Sequence, residues 1–452
     1  MYKRLADDIG YEGLGINGSL SYNTPNLDAL ASNGVNFTNA IANPLCTPSR
    51  VKIMTGKYNY KNYDYFTHLN ASEKTFGNLF QENGYQTAIV GKWQLNGLKI
   101  KEIDQKIKED NTRPYKFGFD EYCLWQLTKT KDFGERFANP LIEQNGKFLE
   151  RNNDLYGPDI VSDYAIDFIQ RNKEKSFFLY YPMLLVHDPF VPTPDSEEWN
   201  NPDLRYKKSN NFFKDMVEYM DKIVGKIAQE LKAQGIEDNT LIMFVGDNGT
   251  NRNLVTKTNF GDVKGAKGNT ITHGVHVPMI ASWPSKIKNP IIYDGVVDLT
   301  DFYATFSDIL NLSNDSDGKS FTHIFYGSKK NVRETVTIYY DPKWSINVDR
   351  HRNIFSQDKR YKLYKNGEFF DMKNDILEEN PLKEKDLDVN EKLIKDMEKR
   401  NKGLEFMNTE SACKTHNLLL SENRLFISIP VSYTHLRAHE TREDRGWRGV
   451  RV

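Results

Sequence analysis

The stretch Thr240-Leu241-Ile242-Met243-Phe244-Val245-Gly246, followed at once by Asp247 and Asn248, decides the fold class. Its seven residues carry no charge, and a short apolar run of this kind predicts a buried strand. Three more runs of the same character predict three more buried strands, at residues 86–91, 176–181 and 277–283. Buried strands that read as continuous apolar runs are typical of parallel sheets.

Amphipathic stretches lie between these runs and predict helices over residues 25–32, 75–82, 161–172 and 210–233. Glycines at positions 34, 84 and 235 end three of these helices. Strands that alternate with helices indicate an α/β fold, with a large, mostly parallel central sheet sandwiched by helices. In such a sheet, ligands bind beyond the carboxyl ends of the strands.

Polar residues closely follow the strand-like runs at four places: Asp7-Asp8, Gly91-Lys92, His187-Asp188 and Asp247-Asn248. Each aspartate pair has an ordinary alternative as a turn or helix cap. Together, however, the two pairs offer three carboxylates and an amide, and an all-oxygen set suits Ca²⁺ or Mg²⁺ rather than zinc. Taken alone, His187 is equally well a strand-end histidine held by its neighbours, whereas for Lys267 alone a solvated lysine is the favoured interpretation.

The composition predicts a soluble globular protein, with 38% hydrophobic and 27% charged residues. The formal net charge is -1, from 61 basic and 62 acidic residues, so no bulk field attracts nucleic acid or a membrane. An anionic substrate must therefore be held by local cations. The three cysteines are widely spaced and odd in number, which argues against a framework of several disulfides. One disulfide bond stays an alternative.

The segment Cys46-Thr47-Pro48-Ser49-Arg50 combines a cysteine with a helix start, because Pro48 suits a first helical turn. Cys46 would then lie at a helix N-terminus, where an anionic centre is stabilised. The simpler interpretation is a small buried thiol, which is the commonest state of a lone cysteine. Physical arguments alone modestly favour that simpler interpretation.

The pattern Cys-x-Pro-x-Arg, followed by a helix that ends in Thr55-Gly56, resembles the signature of type I sulfatases of the alkaline phosphatase superfamily. The likeness extends over about residues 5–385, and Gly91-Lys92-Trp93-Gln94-Leu95 resembles another family element. In that family the cysteine is converted to formylglycine (3-oxoalanine) by a maturation enzyme. One hydroxyl of the hydrated aldehyde attacks sulfur and releases the alcohol, and the second lets the sulfated intermediate collapse to aldehyde and sulfate.

The resemblance implies a role for each candidate residue. One divalent cation, with Ca²⁺ favoured over Mg²⁺, would be held by Asp7, Asp8, Asp247, Asn248 and the Cys46-derived group. Arg50, Lys92 and Lys267 would bind the sulfate, and His187 would protonate the leaving alcohol. The remaining histidines of the 267–278 segment, His273 and His276, could face the substrate or pack on their loop, and packing on the loop is slightly favoured.

Gln94 departs from the family pattern, because it stands where the family has a histidine beside the nucleophile. Glutamine can hydrogen-bond but cannot take up a proton at neutral pH. We therefore hold three hypotheses: hydrolysis of a sulfate ester on a carbohydrate or on an aryl or alkyl group, hydrolysis of a phosphonate or phosphate ester, and catalytically impaired binding of sulfated glycans.

The domain organisation is expected to comprise a catalytic α/β domain over residues 1–325 and a C-terminal subdomain over 326–410. The subdomain should hold a small antiparallel sheet, with a hairpin turning at Asn366-Gly367, and a helix over about 388–403. Residues 411–452 are expected to be a tail of partly non-native sequence. Residues 1–6 read as a clipped first strand without a signal peptide, whereas the family suggests a periplasmic or secreted protein.

Overall fold

The computed structural model describes residues 2–340, 353–382 and 392–396. The chain divides into two compact units, Met1–Ile394 and Lys395–Val452. Nearly all described residues belong to the first unit. No helix among them is long and apolar enough to cross a membrane.

The strands of the described residues are numbered in chain order. They are β1 (Tyr2–Ala6), β2 (Val35–Ile41), β3 (Gln86–Lys92), β4 (Glu121–Trp125), β5 (Ile142–Gln144), β6 (Lys147–Phe148), β7 (Phe177–Pro182), β8 (Ile242–Gly246), β9 (Val255–Thr258), β10 (Gly261–Lys264), β11 (His276–Ser282), β12 (Ile291–Tyr293), β13 (Val297–Asp298), β14 (Val336–Tyr339), β15 (Ile354–Gln357), β16 (Tyr361–Tyr364) and β17 (Phe369–Asp371).

The α-helices are numbered in the same way. They are α1 (Pro25–Ser32), α2 (Cys46–Thr55), α3 (Asn59–Asn62), α4 (Phe76–Glu82), α5 (Gln105–Lys108), α6 (Arg113–Lys116), α7 (Gly157–Asn172), α8 (Phe212–Ala233), α9 (Thr272–Val275) and α10 (Asp301–Ile309). The four predicted helices are therefore confirmed as α1, α4, α7 and α8, with α7 beginning four residues earlier than expected.

The large sheet has the strand order β12-β2-β11-β8-β1-β7-β3-β4-β5-β6, and β13 also pairs with β2. Its centre is parallel, because β1 lies between β7 and β8 and runs in the same direction as both. The four predicted strands are confirmed as β3, β7, β8 and β11. β11 is antiparallel to both of its neighbours, so the sheet is mixed although mostly parallel.

Side chains alternate between the two faces of the central strands, as strand geometry requires. On β8, Ile242 and Phe244 pack with α1, α7 and α8 in one hydrophobic cluster. Met243 and Val245 point the other way and pack with α2, α4 and α10 in a second cluster. Both faces are therefore covered by helices, which explains why the strand reads as a continuous apolar run.

The first strand, β1, takes the central place in the sheet even though Lys3 and Arg4 interrupt its apolar run. Leu5 pairs in register with Val245 on one side and with Pro182 on the other. Leu5 and Ala6 are buried on opposite faces. The residues directly after β1 are consequently fixed at the carboxyl edge of the sheet.

The small sheet has the order β14-β15-β16-β17 and is antiparallel. Its last hairpin turns where the sequence predicted, and Gly367 has φ +89° there. The helix expected over 388–403 falls mostly outside the described residues, of which 392–396 are helical. The tail at 411–452 and the domain limits at 325 and 410 stay predictions.

Candidate active site

The carboxyl edge of the parallel strands collects most of the candidate residues. Asp7 and Asp8 follow β1, Lys92 ends β3, and Asp247 follows β8. Gly91 permits this approach of β3 to β7: its φ is +112°, and a Cβ at this position would lie 2.0 Å from the Pro182 carbonyl oxygen. The sheet therefore brings together residues that lie up to 240 positions apart in sequence.

Three aspartates form a buried cluster at this edge. The Asp8 amide donates to Asp247 Oδ1 at 3.0 Å, and Asn248 Nδ2 donates to Asp8 Oδ1 at 2.9 Å. Asp8 adopts φ +67°, which turns the chain sharply after β1. Burial, followed by the charges of Asp7 and Asp8, raises the pKa of Asp247 well above its ordinary value. The metal-free cluster is thus electrostatically unfavourable.

The donor set of this cluster fits a divalent cation. Asp7 Oδ1 and Asn248 Oδ1 are buried and have no hydrogen-bond partner within the ranges that the structure describes. One oxygen each of Asp7 and Asp247 lies within 4.8 Å of the Cys46 sulfur and of the other. Oxygen atoms that are buried, anionic and without donors are the ligands that hard cations such as Ca²⁺ take.

Cys46 is the first residue of α2 and is buried, with 2% of its surface exposed. Burial raises the pKa of its thiol; Asp7 and Asp247 raise it further, and Lys92 and Lys267 oppose them. The unmodified residue is therefore a neutral thiol rather than a reactive thiolate. Cys123 is also a free buried thiol, so neither of these cysteines forms a disulfide. Cys413 lies outside the described residues.

Buried hydrogen bonds hold α2 at this place. Ser49 Oγ accepts from the Asn43 amide at 3.0 Å and donates to the Asn43 carbonyl at 3.1 Å. Further along the helix, Lys52 Nζ forms a 2.7 Å ion pair with Asp298, and both side chains are buried. Cys46 is consequently attached to a rigid element rather than to a mobile loop.

Two lysines are paired with the aspartates of the cluster. Lys92 Nζ donates to Asp7 Oδ2 at 2.7 Å, and both side chains are 1% exposed. Burial alone would raise the pKa of Asp7, but nearby cations, Lys92 foremost, hold it below its usual range. Lys267 donates to Asp8 Oδ2. Burial would lower the pKa of Lys267, but Asp8 outweighs this effect and raises it.

Arg50 has partners other than the anion that the sequence suggested. Its Nη1 donates to the Trp93 carbonyl and its Nη2 to the Lys92 carbonyl, each at 2.6 Å. The guanidinium is 1% exposed and fixes the end of β3. Its assignment as a sulfate-binding cation stays a prediction.

His187 lies beside the cluster with its proton position defined by its contacts. Nδ1 is 2.7 Å from the Asp188 carbonyl, which can only accept, so Nδ1 carries the proton. Nε2 is 3.1 Å from Lys267 Nζ, which can only donate, so Nε2 accepts. Burial, followed by the Lys267 charge, lowers the pKa of His187 well below its ordinary value. The imidazole is therefore neutral.

Gln94 follows β3 and adopts φ +48°. Its amide donates to the Gln126 carbonyl at 3.1 Å, whereas its side-chain Oε1 has no hydrogen-bond partner among the described residues. The loop histidine His276 stacks on Tyr11 with ring centroids 4.2 Å apart and contacts the Thr38 carbonyl through Nε2 at 2.8 Å. His273 is buried.

The amino-acid sequence matches models of known protein families. Residues 5–312, which include every candidate residue named above, match the family model described as Sulfatase. The chain belongs to the sulfatase family. Residues 269–405 also match the model described as N-sulphoglucosamine sulphohydrolase, C-terminal. Members of the sulfatase family typically use a metal ion and a formylglycine residue, and the aspartate cluster is a possible metal site.

Two relatives and one solved structure illustrate the similarity to sulfatases. N-acetylgalactosamine-6-sulfatase of Mus musculus is 30% identical over 349 residues, covering 69% of this chain and 62% of that protein. N-acetylgalactosamine-6-O-sulfatase of Bacteroides thetaiotaomicron is 25% identical over 447 residues, covering 77% of this chain and 86% of that protein. A protein solved in complex with its substrate D-glucosamine-2-N,6-O-disulfate shares the fold, with TM-score 0.71, 22% identity, and coverage of 89% and 97%. The chain thus spans less than two thirds of the mouse sulfatase.

Two residues of the site were not found from the sequence. Glu12 is buried and accepts from Thr250 Oγ1 at 2.6 Å, while the Gly10 amide donates to the same hydroxyl at 2.9 Å. These bonds join the loop after Asp8 to the loop after Asp247. Arg136 is buried in a segment with no strand-end signal, and no sequence pattern singled it out.

Proposed function

We propose that the protein hydrolyses sulfate esters of carbohydrates and that its nucleophile is made from Cys46. The observation that carries this proposal is the position of Cys46, whose sulfur lies at the start of α2 within 4.8 Å of Asp7 and Asp247 oxygens. A buried thiol with a raised pKa is a poor nucleophile by itself. Its oxidation to formylglycine by a maturation enzyme would remove this obstacle.

The metal ligands in this proposal are Asp7, Asp8, Asp247 and Asn248, with the Cys46-derived group completing the set. Every protein ligand atom is oxygen, which suits a hard cation; we take calcium as the first candidate and magnesium as the alternative. When bound, such a cation lowers the pKa of the attacking hydroxyl and orients the sulfate. Glu12 and Thr250 position the two ligand loops relative to each other.

The nucleophile is the hydrated aldehyde of formylglycine, which supplies one hydroxyl for attack on sulfur and a second for release of sulfate. Lys92 and Lys267 offer ammonium hydrogens to the anionic oxygens of the ester. Arg50 holds the carbonyls of Lys92 and Trp93, and so keeps the Lys92 ammonium in place.

His187 is the proton donor to the leaving alcohol. Its neutral ring accepts from Lys267 at Nε2 and is oriented at Nδ1 by the Asp188 carbonyl. When the anionic ester engages the Lys267 ammonium, Nε2 is released to take up a proton from solvent, and this proton is then delivered to the departing oxygen while Nδ1 stays protonated. This arrangement supplies general-acid catalysis from a side chain that is neutral at rest.

The substrate class follows from the relatives rather than from the geometry. The mouse and Bacteroides thetaiotaomicron relatives are named for the 6-sulfate of N-acetylgalactosamine. We infer that this chain acts on a sulfated carbohydrate, with amino sugars as the first candidates. Gln94 supports a second function, which is binding of sulfated glycans with impaired turnover, because its amide cannot accept a proton from an intermediate.

The proposal is tested by mass spectrometry of the peptide that contains Cys46 and by sulfate release with and without a chelator. Formylglycine should be present, and activity should require both the metal and Cys46. Cys46→Ala should abolish turnover, whereas Cys123→Ala, at the other buried free cysteine, should preserve it. Activity that survives Cys46→Ala would disprove the assignment. Faster hydrolysis of a matched aryl phosphonate than of the aryl sulfate would favour the phosphonate ester hydrolase.

A further inference from the structure

Arg136 is a buried cation beside the candidate site whose charge has no assigned function. Its side chain is 6% exposed, and Cζ lies 4.2 Å from the centroid of the Trp125 ring and 5.6 Å from that of Phe137. Within the described residues its Nη1 has no hydrogen-bond partner. A buried charged donor without an acceptor is destabilising, so the site that contains it is expected to receive an acceptor from a ligand.

The backbone around Arg136 is firmly fixed. The Gly157 amide donates to the Phe137 carbonyl at 2.9 Å, and the Leu141 amide donates to the Glu135 carbonyl at 3.0 Å. A Cβ on Gly157 would lie 1.9 Å from the Arg136 carbonyl oxygen, so this close contact requires glycine. The guanidinium is thus held in place before any ligand arrives, which reduces the entropic cost of binding one.

The Trp125 ring places Arg136 at the carboxyl edge of the sheet. Trp125 ends β4 in register with Lys92 of β3, and the Trp93 amide donates to the Trp125 carbonyl at 2.9 Å. Burial lowers the pKa of Arg136, and the charges of Asp7, Asp188 and Asp8, in that order, oppose this effect. The guanidinium therefore lies within electrostatic reach of the metal cluster and of the half-exposed Asp188.

The other cations of the site already have partners. Lys92 is bound to Asp7, Lys267 to Asp8 and His187, and Arg50 to two carbonyls. The charges of Lys92 and Lys267 lower the pKa of the Cys46 thiol, and the charge of Arg136 also interacts with Cys46. Arg50 Nε also lacks a partner among the described residues, but both terminal nitrogens of Arg50 are bound to carbonyls. Arg136 differs because a terminal nitrogen, Nη1, has no acceptor there and because its charge interacts with the carboxylate of Asp188 on the solvent side.

We propose that Arg136 determines specificity by binding an anionic substituent of the substrate other than the sulfate that is removed. The shared chemistry is an oxyanion, supplied by a second sulfate or by a carboxylate, and a guanidinium fixed on an indole ring suits either. This inference rests on the proposed sulfatase function and names a feature of its substrate: at least two anionic groups.

The test compares three probes: N-acetylgalactosamine 6-sulfate, N-acetylgalactosamine 4,6-disulfate, and a disaccharide that joins the 6-sulfated sugar to a uronic acid. Binding to the Cys46→Ala protein is measured by calorimetry in calcium buffer, so that the result does not depend on turnover. The parent should bind at least one doubly charged probe more tightly than the singly charged one. The preferred probe identifies the second group as sulfate or carboxylate.

Arg136→Met keeps an apolar stem against Trp125 and removes the charge. It should weaken binding of the preferred doubly charged probe by about 10- to 100-fold and change binding of the singly charged probe by less than about 2-fold. Arg136→Lys keeps a point charge and should lose less affinity for the doubly charged probe. It provides a second measurement in case Arg136→Met does not fold.

Three results would overturn the inference. Equal losses on all probes would place Arg136 on the sulfate that is removed, or in a purely structural role. No loss on any probe would exclude a contact, and no preference of the parent for a second charge would remove the premise. The proposed function fails separately, when the formylglycine-containing enzyme releases no sulfate from any probe, including 4-nitrophenyl sulfate.

Discussion

Replacing Asp247 with Asn should stabilise the metal-free protein and abolish its stabilisation by calcium. The Asp247 carboxylate is buried, and one of its oxygens lies within 4.8 Å of an Asp7 oxygen. Two unit charges at 4.8 Å repel by about 3.5 kcal/mol at an effective dielectric constant of about 20. Asn keeps the oxygen that accepts from the Asp8 amide and removes the charge. A gain of roughly 1–3 kcal/mol in the free energy of unfolding is expected.

The pH dependence of this gain has a definite sign. Burial and the charges of Asp7 and Asp8 raise the pKa of Asp247 in the folded protein. A carboxyl group with a raised folded pKa destabilises the fold at every pH above its unfolded pKa, because the unfolded chain releases the proton more readily. The advantage of Asp247→Asn should therefore grow as pH rises from about 4 towards neutrality, and should vanish below about pH 4.

Calcium should make the wild type more stable than Asp247→Asn, which reverses the order of stability expected in chelator. Ligand at about 100 times its dissociation constant stabilises a folded protein by about 2.7 kcal/mol, and this gain requires the Asp247 carboxylate. The assay is thermal unfolding of the wild type and of Asp247→Asn, in chelator and in calcium. Asp221→Asn is the matched control, because Asp221 is equally buried but its hydrogen-bond donors in the described part of the chain are Asn26 and Leu27.

The Asp221→Asn control should lose the same amount of stability in chelator and in calcium. Its side-chain amide nitrogen would face the hydrogen-bond donors of Asn26 or Leu27, to which it cannot bond, whether or not calcium is present. The reasoning is refuted if Asp247→Asn is less stable than the wild type in chelator and still gains stability from calcium. Such a result would mean that the aspartate cluster is a structural hydrogen-bond network and not a metal site.

Three further predictions concern Lys52 on the helix that carries Cys46, Gln94 and His187. Lys52→Met should lower the free energy of unfolding by about 3–5 kcal/mol by leaving the Asp298 carboxylate buried without its cation, and Lys52→Met combined with Asp298→Asn should restore most of the loss in denaturant unfolding. Gln94→His should raise the sulfate-release rate of the formylglycine-containing protein by about 10- to 100-fold if proton transfer limits turnover, and no gain would support the binding function. His187→Ala should lower kcat by about 100- to 10,000-fold for alkyl sulfates and much less for aryl sulfates with acidic leaving groups, and an equal loss for both would argue against its role as proton donor.

Sequence analysis predicted the site best where the apolar pattern of a strand also fixes the position of that strand in the sheet. The apolar run 242–246 is a strand buried on both faces, and a strand of this kind in a parallel sheet presents its next residues at the ligand-binding edge. Asp247 was therefore a candidate from the sequence alone. The direction of β11 was not predictable, because an apolar run specifies burial on both faces but not whether a strand runs parallel or antiparallel to its neighbours.

Side chains that reach the site from loops escaped prediction for a physical reason. Arg136 and Glu12 lie in segments without strand or helix periodicity, and their partners, Trp125 and Thr250, come from other parts of the fold. Charged residues in loops are usually solvated, so burial of these two could only be seen in three dimensions. Arg50 was recognised from its motif, but its partners are main-chain carbonyls, which a motif does not specify.

Under the proposed function, the ion pairs of the site would couple metal binding to sulfate binding. Asp7 accepts from Lys92 through Oδ2, and its Oδ1 has no donor within the described ranges. Asp8 accepts through both oxygens, from Asn248 at Oδ1 and from Lys267 at Oδ2. A cation held by these carboxylates competes with both ammonium groups for the same negative charge. Each lysine would then have hydrogens available for an anionic ester, so the residues that bind the metal also prepare the residues that bind the sulfate. This arrangement explains how a chain of formal net charge -1 can hold an anionic substrate with a few buried groups.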